Sequence, residues 1–216
     1  MTLRNIPRRP AARIAALTAA VLSATLISAC APLLLGGAMV GGSMVALDRR
    51  TSGAQLEDEA IELKGASRVR DVLGDRGRVS VTSYNRLVLV TGEVPTDANR
   101  AAVERALTGI DNARSIVNEV AVMPSSSLST RSNDALLTGK VKASFVDTKD
   151  IFANSAKVVT QRGTVFLMGR VTDREAGRLT EVARGVNGVR KVVRLFEIVS
   201  EAELAELAAP PGPKPK

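Results

Sequence analysis

The feature that most constrains this chain is a duplication. The apolar run Leu87 to Val94 (LVLVTGEV) has a counterpart in Val165 to Val171 (VFLMGRV), with Gly92 falling on Gly169 at an offset of 77. A polar helical stretch follows in each, Gly109 falls on Gly185 at an offset of 76, and a second apolar run closes each copy, at Ile116 to Val120 and Val192 to Phe196. The one-residue slip lies in the turn, where Pro95-Thr96-Asp97 is replaced by Thr172-Asp173. Two copies at this spacing describe a duplicated small domain; a solenoid needs more and shorter units.

Both copies read in the same order. Apolar residues at helical spacing predict a first helix over 55–73 and over 134–145. An alternating strand follows, 79–84 or 157–160, then a tight polar turn, Asn85-Arg86 or Gln161-Arg162-Gly163, which makes a hairpin with the next strand. That next strand is almost continuously apolar, the pattern of a central strand covered on at least one face. In the second helix, Thr172 and Glu175 form a capping box, with Gly185 at the far end. Ala176, Leu179, Val182 and Val186 recur at helical spacing there, as Val103, Leu107 and Ile110 do in copy one. Strand, helix, strand implies a right-handed parallel crossover. The fold class is therefore α+β: two tandem α-β-β-α-β domains, each a three-stranded mixed sheet with two helices on one face. A unit of about 65–70 residues is marginal by itself, so the copies are expected to pack together.

The boundaries follow from composition. Residues 1–29 read as a leader, 30–54 as a tether, 55–123 as the first domain, 124–132 as a polar linker, 133–200 as the second domain and 201–216 as a disordered, Pro-rich tail. The tether begins with an uncharged stretch, Ala31 to Leu47, whose four glycines suit a flexible connection better than a span.

Composition removes whole classes of chemistry. There is no histidine and one cysteine, so neither a Ser-His-Asp or Cys-His site nor a His-based zinc site can be built. Composition leaves a carboxylate-only or Ser-Lys enzyme formally open, but no two acids fall in a recognisable pocket, Asp71 and Asp75 reading as a helix end. No cofactor is implied. One tyrosine, four phenylalanines and no tryptophan give little for base stacking, and nucleic acid is not an expected partner.

The leader has a basic front (Arg4, Arg8, Arg9, Arg13), an apolar core from Ile14 to Ile27, and small residues Ser28 and Ala29. The chain's single cysteine, Cys30, comes next. This arrangement resembles the bacterial lipoprotein signal, which implies cleavage before Cys30 and a lipid on it.

Two α-β-β-α-β units, each with a glycine late in strand two and a Gly-Val or Gly-Ile turn before strand three, resemble the BON domain. With the lead-in Asp48 to Lys64 and the lipidation signal, the chain resembles the dual BON-domain outer-membrane lipoproteins. The resemblance implies a periplasm-facing protein on the outer membrane, binding of anionic phospholipid mainly through the second domain, a role in envelope integrity, and outer-membrane assembly or division-site proteins as further partners. Ala31 and Pro32 stand where an inner-membrane retention signal carries aspartate. Relatives can present a tryptophan to lipid from the opening helix of the second domain; the best-matching position here is Leu136.

Charge points the same way. Residues 56–123 hold 9 basic and 11 acidic side chains, whereas residues 133–200 hold 12 and 7. In the second copy's opening helix, Leu137, Val141 and Phe145 have the spacing of a core ridge. Leu136, Lys140 and Ala143 lie on the adjacent face, Lys142 flanks it, and Gly139 weakens the helix locally. Spacing alone leaves Leu136 open between a core position and a membrane-inserted one; the resemblance points to lipid. Arg170, Arg174, Arg178, Arg184, Arg190, Lys191 and Arg194 read either as an extension of that patch or as a solvated face paired with Glu175 and Glu181. The alternative function is an adaptor that binds an envelope protein or peptidoglycan through the acidic first copy, with Glu57, Asp58, Glu59 and Glu62 as its surface.

Overall fold

The computed structural model describes residues 48–149 and 151–208, the side chains of residues 207 and 208 excepted. The leader, Cys30 and the apolar run to Leu47 lie outside the described residues, as does the chain from 209 on. The first copy comprises α1 (Ser52–Leu73), β1 (Arg78–Tyr84), β2 (Leu87–Val94), α2 (Asp97–Leu107) and β3 (Ser115–Val122). The second comprises α3 (Leu128–Asp147), β4 (Lys157–Gln161), β5 (Thr164–Val171), α4 (Asp173–Gly185) and β6 (Lys191–Ile198), and α5 (Glu201–Ala208) follows. Each sheet has three strands in sequence order. The central strand runs antiparallel to the hairpin partner before it and parallel to the strand after it.

The repeated glycine has a steric cause. A Cβ on Gly92 would lie 2.0 Å from the Arg78 carbonyl oxygen, and one on Gly169 would lie 2.3 Å from that of Ser155. The backbone at the start of β1, and just before β4, thus passes too close for any side chain at that position. Gly109 and Gly185 are not equivalent in this sense. Gly109 has φ +72, but Gly185 is the last residue of α4, and Val186, with φ −75, caps the helix. The positive-φ position that both copies share falls later, at Asn112 (φ +67) and Gly188 (φ +103), 76 residues apart.

A buried carboxylate on the first helix of each copy holds the hairpin turn. Asn85 and Arg86 both have positive φ, as do Arg162 and Gly163, the pattern of a type I′ turn. Asp58 accepts hydrogen bonds from the Asn85 and Arg86 amides at 2.7 and 2.8 Å and from Ser83 Oγ at 2.6 Å. Asp134 accepts from the Arg162 and Gly163 amides at 2.7 and 2.9 Å. Two backbone donors aimed at one carboxylate offset the strain of left-handed non-glycine residues, of order 1–2 kcal/mol each.

The central strands explain their continuous apolarity. Val88, Val90 and Val94 face α1 and α2, packing with Ile61, Leu73, Val103 and Leu107. Val165, Leu167 and Val171 do the same against α3 and α4, with Val141, Phe145 and Leu179. The alternate residues of both strands meet in a third cluster that the two copies share: Tyr84 and Leu89 from the first, Phe166 and Met168 from the second, bordered by Val117, Val159, Val193 and Leu195. The second face of each sheet is covered by the other sheet.

Polar contacts ring this interface. Glu93, fully buried, accepts from Ser126 Oγ, from the Ser126 amide at 3.3 Å and from Gln161 Nε2 at 2.7 Å. Lys157 Nζ reaches Glu62 at 2.7 Å and the Ser83 carbonyl at 3.1 Å. Glu197 accepts from Asn85 at 2.8 Å and Arg114 at 2.7 Å. The residues before α1 strap the copies together: Arg49 forks onto both oxygens of Glu175 at 2.7 Å, while Arg50 pairs with Asp58 at 2.7 Å and stacks over the Tyr84 ring at 4.5 Å.

Three boundaries differ from the sequence reading. Thr51 caps α1 by accepting from the Ala54 amide, so the tether ends at residue 50 and not at 54. Ser127 caps α3 through the Thr130 amide, which turns most of the expected linker into helix. Residues 201–208 are helix, not disordered tail. Ser200 Oγ accepts from the Glu203 amide, Glu203 pairs with Arg170 at 2.9 Å, and the run EAELAELA favours helix up to the prolines.

Gly169→Ala should lower stability by more than about 3 kcal/mol, since backbone must move. Gly177→Ala, on the exposed side of α4 with nothing within 4 Å of its Cβ, should raise it by about 0.5–1 kcal/mol. Urea unfolding of the two variants checks both signs. The acid dependence has a direction too. Burial pushes the carboxyls of Asp58, Glu175 and Glu197 up, but hydrogen bonds (from Ser83, Arg49 and Asn85 respectively, among others) outweigh it and hold all three below their usual range. Depressed carboxyls stabilise the fold above their unfolded pKa of about 4 and lose that contribution as pH falls through the folded values. The urea midpoint should therefore be flat from pH 7 to about 5 and fall below about 4.5, more shallowly in Arg49→Met.

Candidate functional site

Helix α3 presents two contrasting faces. Asp134, Leu137, Val141 and Phe145 form its buried ridge. On the opposite side Leu128, Leu136 and Val146 are 74, 65 and 71% exposed. Ala135, Gly139 and Ala143 are exposed between them, and Lys140 and Lys142 flank the strip. Phe152, 58% exposed, continues it in the loop after the helix, with the Arg49 guanidinium 5.7 Å above its ring. Four of the seven large exposed apolar side chains among the described residues thus fall on α3 and this loop. All five residues that the sequence reading singled out on this helix, Leu136, Gly139, Lys140, Lys142 and Ala143, are exposed.

A groove of about 490 Å³ opens beside Leu136. Thr130, Asn133 and Lys140 of α3 line one wall, Arg162 and Gly163 of the β4–β5 turn another, and Asn187, Gly188 and Arg190 the third. Asp134 lies at its floor, both oxygens engaged by turn amides. The Arg190 stem lies over Gly163, where an added Cβ would come within 2.7 Å of Arg190 Cδ. Arg162 is 3.7 Å from Glu93. Among the described residues, Lys140 and Arg190 make no ion pair. The first copy has a groove of about 680 Å³ in the corresponding place, lined in part by Leu56, Glu57, Ala60, Arg86 and Arg114.

Of the other cations in this copy, three arginines face acids, whereas Arg184, Lys191 and Arg194 make no ion pair among the described residues. Arg170 pairs with Glu197 and Glu203, Arg178 with Glu181, and Arg174 lies 3.8 Å from Glu201. Glu175 is taken by Arg49, not by its own helix. The acidic surface expected on copy one is also mostly spent. Asp58 is buried in the hairpin clamp, Glu57 pairs with Arg86, and Glu62 holds the Ser83 amide and Lys157, leaving Glu59 free on the surface. In the sequence Arg190 reads only as one of seven cations that extend the patch or form a solvated face; the helical periodicity that flags Leu136 and Lys140 cannot find Arg162 and Asn187, which sit in turns.

Among the described residues, no helix is long and apolar enough to cross a membrane. The BON domain profile matches residues 64–124 and 133–200. The outer membrane lipoprotein DolP of Haemophilus influenzae is 36% identical over 156 residues, covering 71% of this chain and 80% of its own. A 21 kDa hemolysin of Actinobacillus pleuropneumoniae is 30% identical over 155 residues, with the same coverage. A solved structure of CdsD, a structural protein of the Chlamydia trachomatis type III secretion system, covers 68% of this chain and 99% of its own at 13% identity, with a TM-score of 0.28.

Leu136 and Leu137 are neighbours with opposite environments, and substitution should separate them. Leu137→Ala should cost about 2–5 kcal/mol in urea unfolding, whereas Leu136→Ala should stay within about 0.5 kcal/mol of the parent.

Proposed function

Because the chain belongs to the BON-domain family, we propose that it is a lipid-anchored outer-membrane protein whose second domain binds anionic phospholipid through the outer face of α3, in support of envelope integrity. The observation that carries this reading is the exposed strip Leu128, Leu136 and Val146 set between lysines. An apolar side chain left in water gains up to about 1.5–3 kcal/mol when buried, and each nearby lysine contributes about 1 kcal/mol at an anionic surface. The two act together only where such residues share one face of a helix, as they do here.

The anchor rests on the leader and Cys30, together with the outer-membrane lipoprotein named among the relatives. Acylation of Cys30 would hold the domain within reach of the membrane, and the high effective concentration would make a weak headgroup interaction sufficient. An adaptor role through the acids of copy one has less to stand on, because Asp58, Glu57 and Glu62 are engaged within the molecule.

Residues 48–216 include all three apolar clusters and can be tested without the anchor. This fragment should float with phosphatidylglycerol-containing vesicles and not with phosphatidylcholine vesicles, and raising salt should weaken it. Leu136→Asp and Lys140→Glu should each cut vesicle affinity at least tenfold while leaving the circular dichroism unchanged. Equal flotation with both vesicle types, or wild-type affinity in both variants, would sink the α3 reading.

A further inference from the structure

Each copy places two cations at matching repeat positions and adds an arginine from its hairpin turn. Lys64 and Arg114 stand 76 residues before Lys140 and Arg190, whereas the clamped turns match Asn85 to Arg162 and Arg86 to Gly163. Their partners differ. In copy one, Glu57 pairs with Arg86, Asp111 with Lys64 at 3.2 Å, and Glu197 with Arg114 at 2.7 Å. At the repeat positions of Glu57 and Asp111, copy two has Asn133 and Asn187. Both carboxylates have become neutral amides, and both amides line the groove with the three cations.

We propose that the groove of the second domain is a built site for a phosphate ester, with Lys140, Arg162 and Arg190 supplying charge and Asn133 and Asn187 supplying amide donors. The proposal rests on the membrane reading for its source, a phospholipid headgroup, and extends it from a charged surface to a defined pocket. Guanidinium and ammonium groups suit phosphate oxygens, and neutral amides beside them donate without adding charge. The carboxylate at the floor does not oppose an anion strongly, because both its oxygens already accept from turn amides. Arg162 is drawn partly toward Glu93, which leaves Lys140 and Arg190 as the principal charges. Leu136 lies on the rim, so an acyl chain above a seated headgroup would meet it first.

The test restores copy-one chemistry. In the 48–216 fragment, Asn133→Glu with Asn187→Asp adds two carboxylates to the groove. Gly177→Glu with Gly185→Glu adds the same charge on α4, where both positions are exposed with nothing within 4 Å. Each protein is titrated with sn-glycerol 3-phosphate, read by the backbone amide shifts of Gly163 and Gly188, and floated with phosphatidylglycerol vesicles. The expected result is saturable shifts in the parent and the α4 control, none in the groove variant, and at least a tenfold lower vesicle affinity for the groove variant only. Leu136→Asp should lose vesicles yet keep the shifts. If the parent gives no shifts, or if the groove variant floats like the parent, the site does not exist. If the parent shows the shifts but floats with no vesicle, the site stands as one for a soluble phosphate ester and the membrane reading fails by itself.

Discussion

The structure depends on two small sheets covering each other. A three-stranded sheet with helices on one side has an apolar second side, and a unit of this size cannot leave it in water and stay folded. Leu89 on β2 and Phe166 and Met168 on β5 bury that surface from both directions, with Tyr84 at the end of β1. No disulfide can help, since the chain has one cysteine. The duplication thus has a physical reason beyond doubling a function: each copy completes the other's core.

This pairing dictates what is left outside. With the sheets back to back, α1 and α2 cover one outer side and α3 and α4 the other, so the first helix of each copy always shows one face to solvent. On α1 that face carries Leu56 and Leu63 among paired or exposed acids; on α3 it carries Leu136 and Val146 among lysines. The interface also holds the chain's N-terminal approach. Arg49 and Arg50 bind different copies, which fixes these two residues across the interface, with Arg49 over Phe152 at the end of the α3 surface.

Much of this was legible in the chain. The hairpins, the capping box of Thr172 and Glu175 and the place of Gly92 and Gly169 follow from local rules, because each depends on residues close in sequence or on backbone sterics. The exposed strip of α3 was legible as a face, though spacing alone could not say whether Leu136 pointed in or out. What escaped depends on partners far apart. Asp58 reads as one acid in an acidic helix, and only the turn brought back against it makes it a buried clamp. Glu175 reads as half of a capping box, and its fork with Arg49, 126 residues away, has no local signature. The helix at 201–208 was missed because the prolines beyond it dominated the composition of the tail.

Net charge is a poor guide to where an anion binds; the pairing of each charge decides. Residues 133–200 hold seven arginines, yet Arg170, Arg174 and Arg178 face glutamates from β6, α5 and α4 and contribute little field beyond them. The three groove cations are no more numerous than Lys64, Arg86 and Arg114 in copy one. They differ in what stands beside them, Asn133 and Asn187 in place of Glu57 and Asp111. Removing two carboxylates at one place leaves existing cations unbalanced without building new ones, and it leaves the clamp at Asp134 and the sheet interface untouched. In a protein whose two halves need each other to fold, divergence of this kind is confined to the outer surface, where one copy can change its ligand while both keep the same core.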